Sequence, residues 1–390
     1  MEKKQIVGLF LERGLTIDPK GLDYFYENPE QLDVFLEKIN QQKIKPTSIN
    51  LEVIKNTLET SAIKIKEAKI FTNKTISVND VSRILTERYE KIQKYFSKRI
   101  DLVNPISINK ISEKTKRFSL IIIVREKDEK DKMLLVEDFT GETNVLVDNT
   151  SFNSILCDEV LGMVCEKYDN KIKAINILWP DIPLKREISR TEEDVCCIFL
   201  SDLHLEQDFE EKTDNLLKEI QQLNYKQLYV FLFGKNASEK KTLEDFITKL
   251  PSNSKTFIIK NNESIATENT TQISSPAILT IEKKINLLLC DGEQFAFYKG
   301  LWGDKSPEDM MLELLKKRHL DPVFEIKKAS LEDIFIIDTV PDIFVSGNFG
   351  QPGMKNYKGT TIISCGSFLS EPVYWIVNLR TRENIKISLA

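Results

Sequence analysis

From residue 195 onward, short and continuously apolar runs alternate with amphipathic stretches, and this alternation restricts the fold more than any other feature of the chain. The runs fall at 195–200, 228–233, 256–259, 285–290 and 343–345. They are too short for helices and too uniformly apolar for strands with one wet face. Between them, apolar residues recur at helical spacing over 209–223, 243–250 and 307–317. Strands buried on both faces and joined by helices call for a layered α/β domain. Runs at 360–365, 373–377 and 385–388 read as further strands that close it.

Upstream, the pattern changes to short strands at 118–124, 133–137, 143–147, 161–166 and 172–178, as expected of a small barrel. Two of them form a hairpin, because Asp138 to Gly141 supply turn chemistry between alternating strands. That Glu-Asp-x-Thr-Gly hairpin resembles one found in many OB-folds, barrels that bind single strands or serve as docking modules. Few exposed aromatics interleave with Lys or Arg in these strands, which favours docking. Residues 1–45 read as a small helical unit, with Ile6, Leu9 and Phe10, then Leu32, Phe35, Leu36 and Ile39, at helical spacing. Residues 46–98 read as a charged linker carrying one amphipathic helix over 78–96, its charges forming a solvated face. The expected domains are therefore 1–45, 46–98, 99–185 and 190–390.

The chain has 390 residues, 41% of them hydrophobic and 29% charged, enough to fill more than one core and too apolar for disorder. Its 55 Lys and Arg against 60 acids give a net charge of -5, which argues against a stand-alone DNA coater. No apolar run approaches a membrane span and no signal-peptide core follows the start, so a cytoplasmic protein is expected. The six cysteines show no Cys-x-x-Cys spacing and sit mostly in apolar runs, as reduced core thiols would.

The polar residues of interest lie where the apolar strands end. The first strand runs into Ser201-Asp202-Leu203-His204, a carboxylate and an imidazole of the kind that share one divalent metal. Later ends read Gly234-Lys235, Asn261-Asn262-Glu263-Ser264, Cys290-Asp291-Gly292 and Gly347-Asn348-Phe349-Gly350. Only two histidines exist, His204 and His319, and His319 belongs to an Arg-His-Leu helix end away from these motifs.

The order of these ends resembles the calcineurin-like binuclear metallophosphoesterases, with their Asp-x-His, Gly-Asp, Gly-Asn-His-[Asp/Glu], lone His and Gly-His-x-His motifs. More closely, 314–324, 332–344 and the Tyr357-Lys358-Gly359 strand that leads into Gly366-Ser367-Phe368 resemble the small subunit of the archaeal family D DNA polymerase. That family is related to the B-subunits of eukaryotic replicative polymerases. The resemblance implies a helical N-terminal unit, an OB-fold barrel and a calcineurin-like β-sandwich flanked by helices. It also implies that the strand ends are a two-metal 3′-to-5′ exonuclease site in active members.

Carried over residue by residue, Asp202 and His204 match. Lys235 stands where the metal-bridging Asp should be. Asn262 is kept, Glu263 replaces the catalytic His, Asp291 replaces the lone His, and Asn348 and Gly350 replace the two last imidazoles. The site is therefore expected to be vestigial, with no cofactor and with Lys235 turned toward the remaining carboxylates. Mg2+ or Mn2+ would enter only through residual activity at Asp202, His204 and Asp291. The implied role is a non-catalytic accessory subunit that holds the large catalytic subunit of a DNA polymerase and meets DNA through the complex. Two alternatives stay open: a metal-dependent proofreading exonuclease of the same polymerase, and an interaction protein that reuses the scaffold.

Overall fold

The computed structural model describes residues 2–40, 48–51, 53–54, 63–67, 77–97, 99–169, 171–205, 210–259, 265, 267, 269–303, 305–324 and 332–389. Two compact units make up the chain: Met1–Lys64 with Ile281–Lys283, and Ile65–Thr280 with Lys284–Ala390. In the first, α1 (Lys3–Leu11), α2 (Pro19–Glu27) and α3 (Glu30–Asn40) enclose a core of Ile6, Phe10, Phe25, Phe35 and Ile39. Asp18 starts α2, its carboxylate accepting the Gly21 N–H at 2.7 Å, and Pro19 fills the first helical position, where no N–H is needed. The parallel pair β1 (Thr16–Ile17) and β2 (Ser48–Ile49) completes the unit, and β3 (Ile63–Glu67) lies across the division.

The second unit begins with α4 (Val78–Phe96) and a closed barrel in the order β4-β5-β6-β8-β7. Its strands are β4 (Arg117–Asp128), β5 (Met133–Asp138), β6 (Gly141–Leu146), β7 (Val160–Tyr168) and β8 (Lys171–Leu178), with α5 (Asn149–Ser154) between β6 and β7. The hairpin closes between Asp138 and Gly141 as the turn chemistry requires; the Asp138 carboxylate accepts the Thr140 N–H at 2.7 Å. Alternate residues such as Leu120, Ile122, Val136, Met163 and Ala174 point inward and fill the barrel. Helix α4 buries Ile84, Arg88, Tyr89, Ile92 and Phe96, and Tyr89, Ile92 and Phe96 pack on barrel residues Ile123 and Val160. The charges of 78–96 are thus not all a solvated face: Arg88 is 2% exposed.

Two further sheets follow. One has the order β12-β11-β10-β9-β18-β19, built from β9 (Val195–Ser201), β10 (Gln227–Phe233), β11 (Ser254–Ile259), β12 (Thr270–Ile273), β18 (Val373–Asn378) and β19 (Asn384–Ser388). In the other, β16 (Gly353–Tyr357), β17 (Thr360–Ser364), β15 (Ile343–Ser346), β14 (Ile285–Cys290) and β13 (Ala277–Ile281) lie side by side in that order. The centre of each sheet is parallel, and every residue of β9 is buried. One face of β9–β11, with Ile198, Leu200, Val230 and Ile258, packs under α6 (Glu210–Gln222) and α7 (Lys240–Thr248). Leu288, Cys290, Phe344 and Ile362 of the other sheet pack under α8 (Phe295–Trp302) and α9 (Pro307–Lys317).

Strand residues of opposite parity therefore turn inward. Phe199, Phe231 and Phe257 stack along this inner face, with ring centroids 5.1 and 5.0 Å apart. Burying each such ring contributes on the order of 2 to 3 kcal/mol. A Cβ on Gly347, at the end of β15, would overlap Phe233, at the end of β10, so the two sheets meet closely there. All six cysteines are free thiols, five of them buried. Among the described residues no helix is long and apolar enough to cross a membrane.

Candidate functional site at the strand ends

The C-terminal ends of β9, β10, β14 and β15 converge where the two sheets meet, and parallel strands place loop residues at such an end. Beyond β9 the chain turns sharply: Asp202 and His204 both take left-handed backbone conformations, with φ of 52° and 47°. The Asp202 N–H donates to the Phe233 carbonyl at 3.0 Å, which ties this turn to the end of β10. Its carboxylate is buried and accepts two bonds, from the Lys235 backbone N–H at 2.8 Å and from the Ser201 hydroxyl at 3.2 Å. Burial raises the Asp202 carboxyl above the ordinary range, against the opposing pull of these bonds and of His204. Gly234, at φ 65°, is required here, since a Cβ would overlap the Asp202 carboxylate.

Ser201 Oγ also accepts the Asn348 N–H at 2.7 Å, linking the ends of β9 and β15. At the end of β14, Asp291 is buried; its N–H donates to Ser275 Oγ at 3.0 Å and its carboxylate accepts the Glu293 N–H at 3.3 Å. Gly292 packs so closely on the Gly347 carbonyl that a Cβ would collide with it, and the Gly347 N–H donates to Cys290 at 3.0 Å. The sequence-derived residues Asp202, Lys235, Asp291 and Asn348 thus belong to neighbouring strand ends, which their chain neighbours Ser201, Gly234 and Gly292 join to the turn at 347–348.

Other expected members fall elsewhere. Gly350 stands on Pro307, at the first turn of α9, rather than on the carboxylates. Asn262 and Glu263 lie outside the described residues. Lys235 has an exposed side chain and meets Asp202 through its backbone N–H, not through the ammonium expected to fill the cluster. Sequence reasoning missed Ser201, whose hydroxyl bridges two strand ends; its place as the last residue of an apolar strand was the available signal.

The donor set can be tested against the metal pair that the resemblance implies. Among the described residues no group of three or more His, Cys, Asp or Glu is placed to hold a metal ion. The Asp202 oxygens are taken up by a backbone N–H and a hydroxyl, and the two carboxylates come with a single imidazole. Two dications bridged by one carboxylate need more oxygen and nitrogen donors than these. The described residues do not fit a metal pair.

A second cluster, unforeseen from the sequence, joins α4, the barrel and the segment after α9. Arg88 Nε donates to Asp333 at 2.6 Å, with both side chains 2% exposed, and its Nη1 donates to the carbonyls of Asp158, at 2.8 Å, and Pro322. His319 Nε2 lies 3.0 Å from both Asp333 oxygens, while Nδ1 accepts the Asp321 N–H at 3.1 Å. This arrangement keeps the proton on Nε2, and burial, with Arg88 beside it, holds the imidazole below its usual range. Nearby, Lys317 pairs with Glu159 at 2.7 Å, both fully enclosed, and donates to the Ser154 carbonyl at 2.8 Å. His319 is therefore a structural residue of this joint, far from the Asp202 turn in role.

A closed barrel followed by two stacked sheets with helices outside them, and a polar site at their parallel strand ends, defines a mixed α/β protein with an appended barrel. The sequence is related along most of its length to the small subunits of archaeal DNA polymerase II. The Methanothermobacter thermautotrophicus protein of that description is 24% identical over 366 residues, covering 75% of this chain and 73% of its own. The Archaeoglobus fulgidus one is 22% identical and covers 93% and 90%, and the Thermoplasma acidophilum one is 19% identical over 96% and 88%. No protein-family model matches the chain. A solved structure described as a novel archaeal phosphodiesterase aligns with 50% of this chain and 99% of its own at 10% identity and TM-score 0.31, too slight a likeness to carry an assignment.

Proposed function

We propose that this chain is the small accessory subunit of a replicative DNA polymerase, a scaffold for the large catalytic subunit whose own phosphoesterase-type site no longer cuts DNA. The observation that carries the reading is its relatedness to DNA polymerase II small subunits along as much as 96% of its length. The strand-end geometry supports the second half. Asp202, the one carboxylate in place at the first motif, is occupied by the Lys235 N–H and Ser201, and Lys235 stands where a bridging carboxylate would. With its side chain exposed, Lys235 offers no oxygen there to bridge two dications. On this reading the two stacked sheets are a calcineurin-like sandwich, the barrel is an OB-fold, and the polymerising partner brings the catalytic carboxylates and the DNA. The domain limits proposed from the sequence, 99–185 and 190–390, then bound the barrel and the sandwich.

Co-expression of the full chain with the large subunit tests the first half: a stable complex with primer extension that depends on this chain is expected. Extension by the large subunit alone at the same rate would remove the accessory role. Incubating the purified chain with Mn2+ and a labelled single strand tests the second half, with no digestion expected. Digestion abolished in Asp202→Ala would instead favour the proofreading exonuclease, since Asp202 and His204 are retained and Asp291, in place of the lone His, is also a metal-type ligand.

A further inference from the structure

One end of the barrel carries a concentration of positive charge at odds with the net charge of -5. Segments 110–117 and 166–173 hold seven cations, Lys110, Lys114, Lys116, Arg117, Lys167, Lys171 and Lys173, against Glu113, Glu166 and Asp169. Strand pairing brings them together. Arg117 lies opposite Glu166 in β4–β7, Glu166 opposite Lys173 in β7–β8, and Tyr168 opposite Lys171. Their inward neighbours Phe118, Cys165, Ile172 and Ala174 are buried, so Arg117, Lys171 and Lys173 stand on the outer surface, and all three are exposed. Lys171 and Lys173 share a face and lie about 7 Å apart along the strand. The lead-in to β4 is fastened to the same end, because the Lys167 N–H donates to the Lys116 carbonyl at 2.8 Å and its ammonium to the Ser112 carbonyl at 3.3 Å.

The carboxylates do not cancel this field. Glu166 meets Arg117 at 3.7 Å, with side chains 51% and 69% exposed, a pair worth little in water and readily exchanged for another anion. Two exposed apolar side chains sit among the cations: Tyr168 is 78% exposed at the β7–β8 turn, and Ile175 is 45% exposed further along β8. A flat aromatic face beside spaced cations suits a base stacked over its phosphate.

We infer that this end of the barrel binds the backbone of single-stranded nucleic acid, with Arg117, Lys171 and Lys173 on phosphates and Tyr168 under a base. The choice of nucleic acid over an acidic peptide rests on the polymerase-subunit reading and on Tyr168. The contact is electrostatic and independent of sequence, so it loosens steeply with salt.

The test uses the full chain and a fluorescein-labelled oligothymidylate of about 20 nucleotides, titrated by anisotropy between about 50 and about 200 mM salt. The triple variant Arg117→Gln, Lys171→Gln, Lys173→Gln should bind at least about 10-fold more weakly at the lower salt. Its log Kd against log salt slope should fall by up to about 2, at about 0.7 per phosphate lost. Tyr168→Ala should weaken binding with the slope unchanged. A control triple away from the barrel, Lys226→Gln, Lys240→Gln, Lys386→Gln, also removes three exposed cations and should bind as the parent does. Equal affinity of the parent and the first triple, equal loss in the control, or no binding by the parent overturns the inference. Each variant is also assayed for complex formation with the large subunit. If the first triple loses that partner while keeping the oligonucleotide, the face is a protein interface and the inference fails, although the accessory-subunit reading stands. If neither parent nor variant forms the complex, that reading fails separately, and the oligonucleotide titration still decides this one.

Discussion

Replacing Arg88 by Met removes a charge from the joint between α4, the barrel and the segment after α9 while keeping most of its bulk. Asp333 would then be buried at 2% exposure with no cation against it, and the carbonyls of Asp158 and Pro322 would lose their donor. Breaking a buried ion pair from one side costs about 3 to 5 kcal/mol. His319 makes the cost depend on pH. In the parent its imidazole is held below the usual range, so the unfolded chain takes up its proton first, and stability falls as pH drops through about 6.5. Without Arg88, the Asp333 carboxylate remains 3.0 Å from Nε2 while the repelling guanidinium is gone, so the imidazole moves upward and can itself supply the missing charge. The deficit of Arg88→Met is therefore largest near about pH 8 and narrows toward about pH 5.5. Urea unfolding followed by tryptophan fluorescence and far-UV circular dichroism at several pH values measures it. A deficit below about 1 kcal/mol at the upper pH, or one that stays constant with pH, would refute the reasoning.

Two other outcomes follow from the geometry. Gly234→Ala forces a side chain into a left-handed position against the Asp202 carboxylate, so it should destabilise by about 1 to 3 kcal/mol in the same assay; Asn348→Ala, also at a left-handed position (φ 44°) but exposed, should cost less, under about 1 kcal/mol. A chain beginning at residue 100 lacks Arg88 and the apolar face of α4 over Ile123 and Val160. It should melt well below a chain beginning at residue 63, and equal melting temperatures would show that α4 is dispensable.

Periodicity located most strands and helices to within a few residues: 285–290 and 307–317 coincide with β14 and α9. Others carried no usable signal. Strand β16, Gly-Met-Lys-Asn-Tyr, is an edge strand with mostly exposed side chains, and α8, Phe-Ala-Phe-Tyr-Lys-Gly-Leu-Trp, is apolar with no clear period over so few residues. At the site, Asp202, Lys235, Asp291 and Asn348 were legible because parallel strands deliver their last residues to one edge, so the order of motifs is also their arrangement in space. What Lys235 does with its side chain was not legible, because a residue type states a charge and not the direction it faces. Arg88 was misread for a related reason. Within its helix it is one more basic residue among alternating charges, and the carboxylate that makes its burial tolerable lies 245 positions away.

That separation orders events during synthesis. At the usual elongation rates of about 5 to 20 residues per second, Arg88 leaves the ribosome roughly 12 to 50 s before Asp333 does. The barrel strands emerge meanwhile and can close on local contacts. The guanidinium of Arg88 meets its carboxylate and the Pro322 carbonyl only in the later segment, so its full burial waits for that segment. The joint around Arg88 is therefore completed only when the segment after α9 arrives with its carboxylate. A segment made late in synthesis thus completes the seating of an element made early.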